Sequence, residues 1–104
     1  MNEIDKLRKM LEDANIPFES YIDKREDIAK YLGARKEVDK YMRNQIIYGR
    51  TGEHSWKLDA IYHRGSYGRY EGLLEIWGDL IEGDPITATA EQTFEIIKND
   101  WEGV

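Results

Sequence analysis

Three glycines fall within eight residues in the segment Gly65-Ser66-Tyr67-Gly68-Arg69-Tyr70-Glu71-Gly72, and Arg64 stands directly before it. Glycine takes positive φ freely, so such a segment can aim successive backbone N–H groups at an anion. Arg64, Ser66 and Arg69 add two cations and a hydroxyl donor at the same place. Phosphate binding is the chemistry this set suits. The segment is neither a Walker loop, which needs Gly-Lys-Ser/Thr opening a helix, nor a dinucleotide fingerprint. A plain hairpin loop whose glycines only permit the turn has the same composition.

A second set is Asp59, His63 and Glu75, a carboxylate–imidazole–carboxylate group of the kind hydrolytic and metal sites use. Asp59 and His63 are four apart, about 13 Å along a strand, so they do not form one site unaided. Ser66, His63 and Asp59 spell a triad by residue type alone. No catalytic residue, cofactor or metal is assigned on this basis. The chain lacks Cys, which removes thiolate metal sites, thiol nucleophiles and disulfides, and it has two His, too few for a three-His centre.

The charge distribution says more than the total. Of 104 residues, 35% are charged and 40% hydrophobic, enough apolar content to argue against disorder. The formal net charge is −6, which disfavours a general DNA or anionic-membrane binder. Residues 1–40 carry a net −1, residues 41–70 a net +3 and residues 71–104 a net −8. The basic centre holds Arg43, Arg50, Lys57, Arg64 and Arg69, both His, and six of the twelve aromatic residues: Tyr41, Tyr48, Trp56, Tyr62, Tyr67 and Tyr70. Rings present π-faces and Arg presents forked donors, which together suit an anion attached to a planar base. Strand propensity alone also enriches Tyr and Trp, so the clustering has a purely structural reading as well. The ligand-binding assignment is stacking on Tyr48, Tyr62, Tyr67 or Tyr70, phosphate contacts from Arg43, Arg50, Arg64 and Arg69 with Ser66, and backbone N–H groups at Gly65 and Gly68.

These residues need a frame. Ile4, Leu7, Leu11 and Ala14 recur at helical spacing with Met10 beside them, and Asn2 is placed to cap the helix over residues 2–14. Pro17 ends it. A second helix is expected at about residues 23–32, with residues 34–40 a connector or its continuation. From Tyr41 the period changes to that of strands: residues 41–49, 56–63 and 73–78. On the second, Trp56, Leu58, Ala60 and Tyr62 would share one face, with Lys57, Asp59, Ile61 and His63 on the other. Leu74 and Ile76 face inward on the third. Thr89-Ala90-Glu91-Gln92 has the form of a capping box, and Ala90, Phe94, Ile97 and Trp101 then make one helical stripe. The expected fold is α+β, a single domain over 1–104: one or two N-terminal helices, a three-stranded antiparallel meander, and a C-terminal helix packed on one sheet face.

The stretches MNEIDKLRKMLEDANIPFES, RNQIIYGR, WKLDAIYHRGSYG with EGLLEIWG, and TAEQTFEIIKNDW together resemble small accessory proteins encoded by phages and prophages of Gram-positive bacteria. The resemblance covers most of the chain and is weakest at residues 20–40. It implies a setting, service against host defences, and transfers no chemistry.

The expectation is therefore a non-enzymatic counter-defence protein that sequesters a nucleotide-derived immune signal, as a homo-oligomer in the host cytoplasm, with no membrane association. The alternative is a protein-directed inhibitor of anti-CRISPR type, whose acidic last third (Glu71, Glu75, Asp79, Glu82, Asp84, Glu91, Glu95, Asp100, Glu102) imitates a phosphate track towards a host defence protein. A solvated outer face has the same appearance.

Overall fold

A computed structural model describes residues 2–22, 44–62 and 72–103. The first element is helix α1, Glu3–Asp13. Its cap is Asn2, whose side chain accepts from the Asp5 N–H at 2.9 Å. Ile4, Leu7 and Leu11 are fully buried along one face, spaced so that every turn contributes one apolar anchor. Ala14 does not extend that stripe. It is the exposed C-cap, and Ile16, beyond Asn15 at φ 57°, is buried in its stead.

Five strands follow: β1 Glu19–Ile22, β2 Asn44–Gly52, β3 Ser55–Ile61, β4 Leu74–Trp77 and β5 Ile86–Ala88. They pair antiparallel in the order β1-β2-β3-β4-β5, so each strand lies beside its neighbour in sequence. The chain closes on helix α2, Ala90–Trp101. Among the described residues the fold is thus α+β with a helix at each end, and the sheet has five strands where the sequence suggested three. The additional two are short edge strands of four and three residues with no run of alternating apolar side chains. Their place depends on backbone pairing, which periodicity does not register. The expected helix at 23–32 and the connector at 34–40 lie outside the described residues.

The register sets the core. Ile46 stands opposite Ala60, Tyr48 opposite Leu58, Ala60 opposite Ile76, and Leu74 opposite Ala88, so these residues share one face. They form a single cluster with Ile4, Leu7 and Leu11 of α1 and Ala90 and Ile97 of α2. The capping box is present in full: Thr89 Oγ1 accepts from the Gln92 N–H at 3.1 Å and Gln92 Oε1 from the Thr89 N–H at 2.9 Å. A further tie joins the helices, because Glu3 Oε2 accepts from the Ala90 N–H at 2.6 Å. One of the N–H groups that α2 cannot satisfy internally is thereby capped by α1. That bond, with the Lys6 ammonium, holds the Glu3 carboxyl below its ordinary value.

Two glycines shape the strands that carry the site. Gly49, at φ 67°, lies against the methylene stem of Lys57. Gly78, at φ 135°, lets the chain after β4 turn back onto β3, where the Asp79 N–H donates to Trp56 O at 3.2 Å and the Leu80 N–H to Lys57 O at 2.8 Å. Between these glycines strict alternation slips. Lys57 reaches α2 on the core side, and Trp56 meets Trp77 edge to face, with centroids 6.3 Å apart. Trp77 pairs with Asp59, so Trp56 lies on the side given above to Lys57, the reverse of the alternation read from the sequence. Among the described residues no helix is long and apolar enough to cross a membrane.

Candidate functional site

A groove of about 340 Å³ opens where the chain entering β1, the last part of β2, Lys57 of β3 and the end of α2 meet. Pro17, Phe18, Ile47 and the half-exposed Trp101 give it apolar walls. Its polar groups are Glu19, Tyr48, Arg50 and Lys57.

At the α2 end, the Tyr48 hydroxyl donates to Asp100 Oδ2 at 2.6 Å, and Lys57 Nζ donates to the same oxygen at 3.0 Å. Two donors from neighbouring strands thus converge on one carboxylate oxygen. Burial pushes the Tyr48 hydroxyl up, and Asp100 adds to the effect. The bond from Tyr48, and then Lys57, holds the Asp100 carboxyl below its ordinary value.

At the β1 end, Arg50 Nε donates to Glu19 Oε2 at 2.7 Å, while Nη1 donates to Glu53 O at 2.8 Å and Gly52 O at 3.3 Å. Its guanidinium also lies 5.9 Å from the centre of the Trp56 ring, within cation–π range. Arg50 therefore ties the β2–β3 hairpin turn at Glu53-His54 to β1. The groove is balanced in charge at rest, with Arg50 against Glu19 and Lys57 against Asp100.

Of the residues assigned from sequence, Tyr48 and Arg50 both line this groove. Tyr62 does not join them. It follows β3 at the far end, where its N–H donates to Asn44 O, about 13 Å along the strand from Leu58, the partner of Tyr48. Arg43, Arg64, Gly65, Ser66, Tyr67, Gly68, Arg69 and Tyr70 lie outside the described residues. Lys57, Asp100 and Trp101 were not assigned. Lys57 was missed because alternation turned it away from Tyr48, and Trp101 because its i+11 spacing from Ala90 placed it in a core stripe. The stripe instead buries Ala90, Thr93 and Ile97, and Trp101 is 51% exposed.

The second set is partly assembled on the other side of the sheet. Asp59 is 8% exposed, its Oδ2 accepts from Gln45 Nε2 at 2.7 Å, and Glu75 is close enough to act on it by charge. His63 is outside the described residues. Among the described residues no group of three His, Cys, Asp or Glu is placed to hold a metal.

Burial chiefly raises the Asp59 carboxyl above its ordinary 3.8, and the charge of Glu75 adds to this. The amide of Gln45 opposes the rise, as does the Trp56 indole N–H, which acts on the carboxylate without forming a good hydrogen bond. A folded-state pKa above the unfolded one means that the native chain holds this proton more tightly. Ionised Asp59 therefore destabilises the fold at neutral pH, and this cost is relieved as the pH falls through the raised value. Asp59→Asn is expected to be more stable than the parent at pH 7. The difference should narrow as the pH drops towards 3.8, where Asp59 becomes protonated in both states. Thermal melts of both proteins across pH 3–8 measure it, and a constant difference would contradict this account.

No protein-family model, curated protein or solved structure matches the chain.

Proposed function

We propose that this is a binding protein without catalytic activity that takes up a compact anion carrying a planar ring, of nucleotide type, in the groove beside α2. One observation carries the reading: a groove of about 340 Å³ sets the Phe18 and Trp101 rings beside the donors of Tyr48 and Lys57. That volume lies within the roughly 300–1,000 Å³ of small-ligand sites, and a half-exposed indole offers a base a face to stack on. Lys57 is the principal cation, since Arg50 is tied by three bonds to Glu19 and the hairpin turn, whereas Lys57 donates to Asp100 alone among the described residues.

The resemblance to phage accessory proteins extends the proposal. The ligand is a nucleotide-derived signal of host immunity, and the protein sequesters it in the host cytoplasm. A second copy of the chain would cover the open side of the groove, which favours a homo-oligomer. Calorimetry against cyclic di- and trinucleotides and ADP-ribose derivatives tests the reading, and absence of binding across that set refutes it. Trp101→Ala is expected to weaken the binding of the ligand found by about fivefold or more, because stacking on one ring contributes ~1–3 kcal/mol.

A second reading, a protein-directed inhibitor, draws support from the exposure of Asp79, Glu82, Asp84, Glu91, Glu95 and Glu102. Spaced carboxylates on a rigid frame suit the nucleic-acid groove of a defence protein. Charge reversal at Asp79, Glu91 and Glu95 separates the two, since it would abolish inhibition on the second reading and leave nucleotide binding intact on the first.

A further inference from the structure

Asp100 sits where its own helix gains nothing from it. It lies in the last turn of α2, where the helix dipole disfavours a carboxylate and favours a cation such as Lys98. What holds it there is lateral: the Tyr48 hydroxyl at 2.6 Å and the Lys57 ammonium at 3.0 Å, both on Oδ2. A hydroxyl and an ammonium converging on one anionic oxygen form a small oxyanion site, the arrangement that would receive a carboxylate or phosphate oxygen from outside. The site is accessible, because the Lys57 side chain keeps 43% of its exposure and Trp101, the residue after Asp100, is half exposed along the groove.

The geometry of this junction is fixed from the sheet side. A Cβ on Gly49 would come within 2.9 Å of Lys57 Cβ, Cγ and Cδ, so the bare glycine lets the Lys57 stem lie across β2 and carry its ammonium to the Tyr48 hydroxyl. Tyr48 is 4% exposed and stands opposite Leu58 in the ladder, so its ring is fixed. The two donors belong to the rigid sheet, whereas the carboxylate belongs to the last turn of a helix, the part that opens most readily.

We propose that Asp100 is a built-in occupant of the groove's anion subsite, and that a phosphate oxygen of the ligand replaces it on Tyr48 and Lys57 as the Asp100 side chain rotates aside, with Trp101 left in place. This rests on the groove reading above and specifies its ligand: a compound bound through one phosphate, monoester or diester, with its ring towards Trp101 and Phe18. The resting groove is therefore self-inhibited, and its affinity is set by competition between two anions for the same pair of donors.

The sign of one mutation tests this. Asp100→Asn keeps the shape of the side chain and removes the competing charge, so binding of 5′-AMP and of inorganic pyrophosphate is expected to tighten by about five- to tenfold. Asp100→Ala, which removes the acceptor altogether, should shift affinity in the same direction. Lys57→Met should weaken both probes by about tenfold or more, and Asp100→Asn should tighten binding less in the Lys57→Met background than in the parent, since one of the two contested donors is gone. A purely structural Asp100 predicts the reverse, a variant that is less stable and binds no better. Binding by the parent that is unchanged or weakened in both Asp100 variants overturns the self-occupied subsite and leaves the groove reading standing. No binding of these probes, or of the cyclic nucleotides and ADP-ribose derivatives, by the parent or either variant overturns both.

Discussion

Gly78→Ala is expected to cost about 3 kcal/mol of stability, a fall in melting temperature of roughly 15 °C for a chain of this size. Two independent penalties meet at this residue. At φ 135° the backbone occupies a region that residues with a Cβ rarely adopt. An added Cβ would also lie 2.6 Å from Lys57 O and 2.8 Å from Leu58 Cα. Both neighbours are main chain of β3, so no side chain can swing away to make room. Relief requires β3 and the turn after β4 to separate, which gives up the bonds from the Asp79 and Leu80 N–H groups to Trp56 and Lys57. Chemical denaturation reads the loss directly. Gly83→Ala is the matched control, since Gly83 also has positive φ but nothing stands within 4 Å of its added Cβ, so only the conformational part of the cost should remain.

Leu7→Ala should cost a similar amount, about 3–4 kcal/mol. Leu7 is the middle anchor of α1, fully buried, in the cluster shared with Ile97 of α2 and Ile46 of β2. Removing its branched end deletes three carbons, a methine and two methyls, from a site walled by two helices and a sheet, which cannot all collapse into the gap. The midpoint of urea unfolding measures the loss. A cost below ~1 kcal/mol would mean that α1 is held mainly by polar ties such as Glu3 to Ala90, and not by its apolar face.

The helical parts of this architecture were plain in the sequence because their signals are local. Asn2 caps α1 and Thr89 with Gln92 caps α2 through bonds that span three residues, and three residues of text are enough to see them. The central strands were legible from alternation at Leu58 and Ala60, and at Leu74 and Ile76. The edge strands were not, since Glu19–Ile22 and Ile86–Ala88 are defined by the partners they meet across the sheet. The site was half legible. Tyr48 and Arg50 carry the right chemistry on a recognisable strand. Lys57 and Asp100 come together only because the bare Gly49 leaves room for the Lys57 stem, and because the α2 register turns its last residues away from the core. These depend on contacts 43 and 52 residues apart in sequence, which no local pattern encodes.

The three tryptophans divide the molecule into two optical zones. Trp56 and Trp77 hold their ring planes 83° apart at 6.3 Å, a fixed asymmetric pair whose near-ultraviolet dichroism is expected to vanish when the sheet loses its packing. Trp101 stands apart on the last turn of α2, half in water, where its emission is expected to change when the proposed ligand stacks on it. With no other tryptophan in the chain, the difference in emission between the parent and Trp101→Phe isolates the end of α2, while dichroism follows the packing of the sheet.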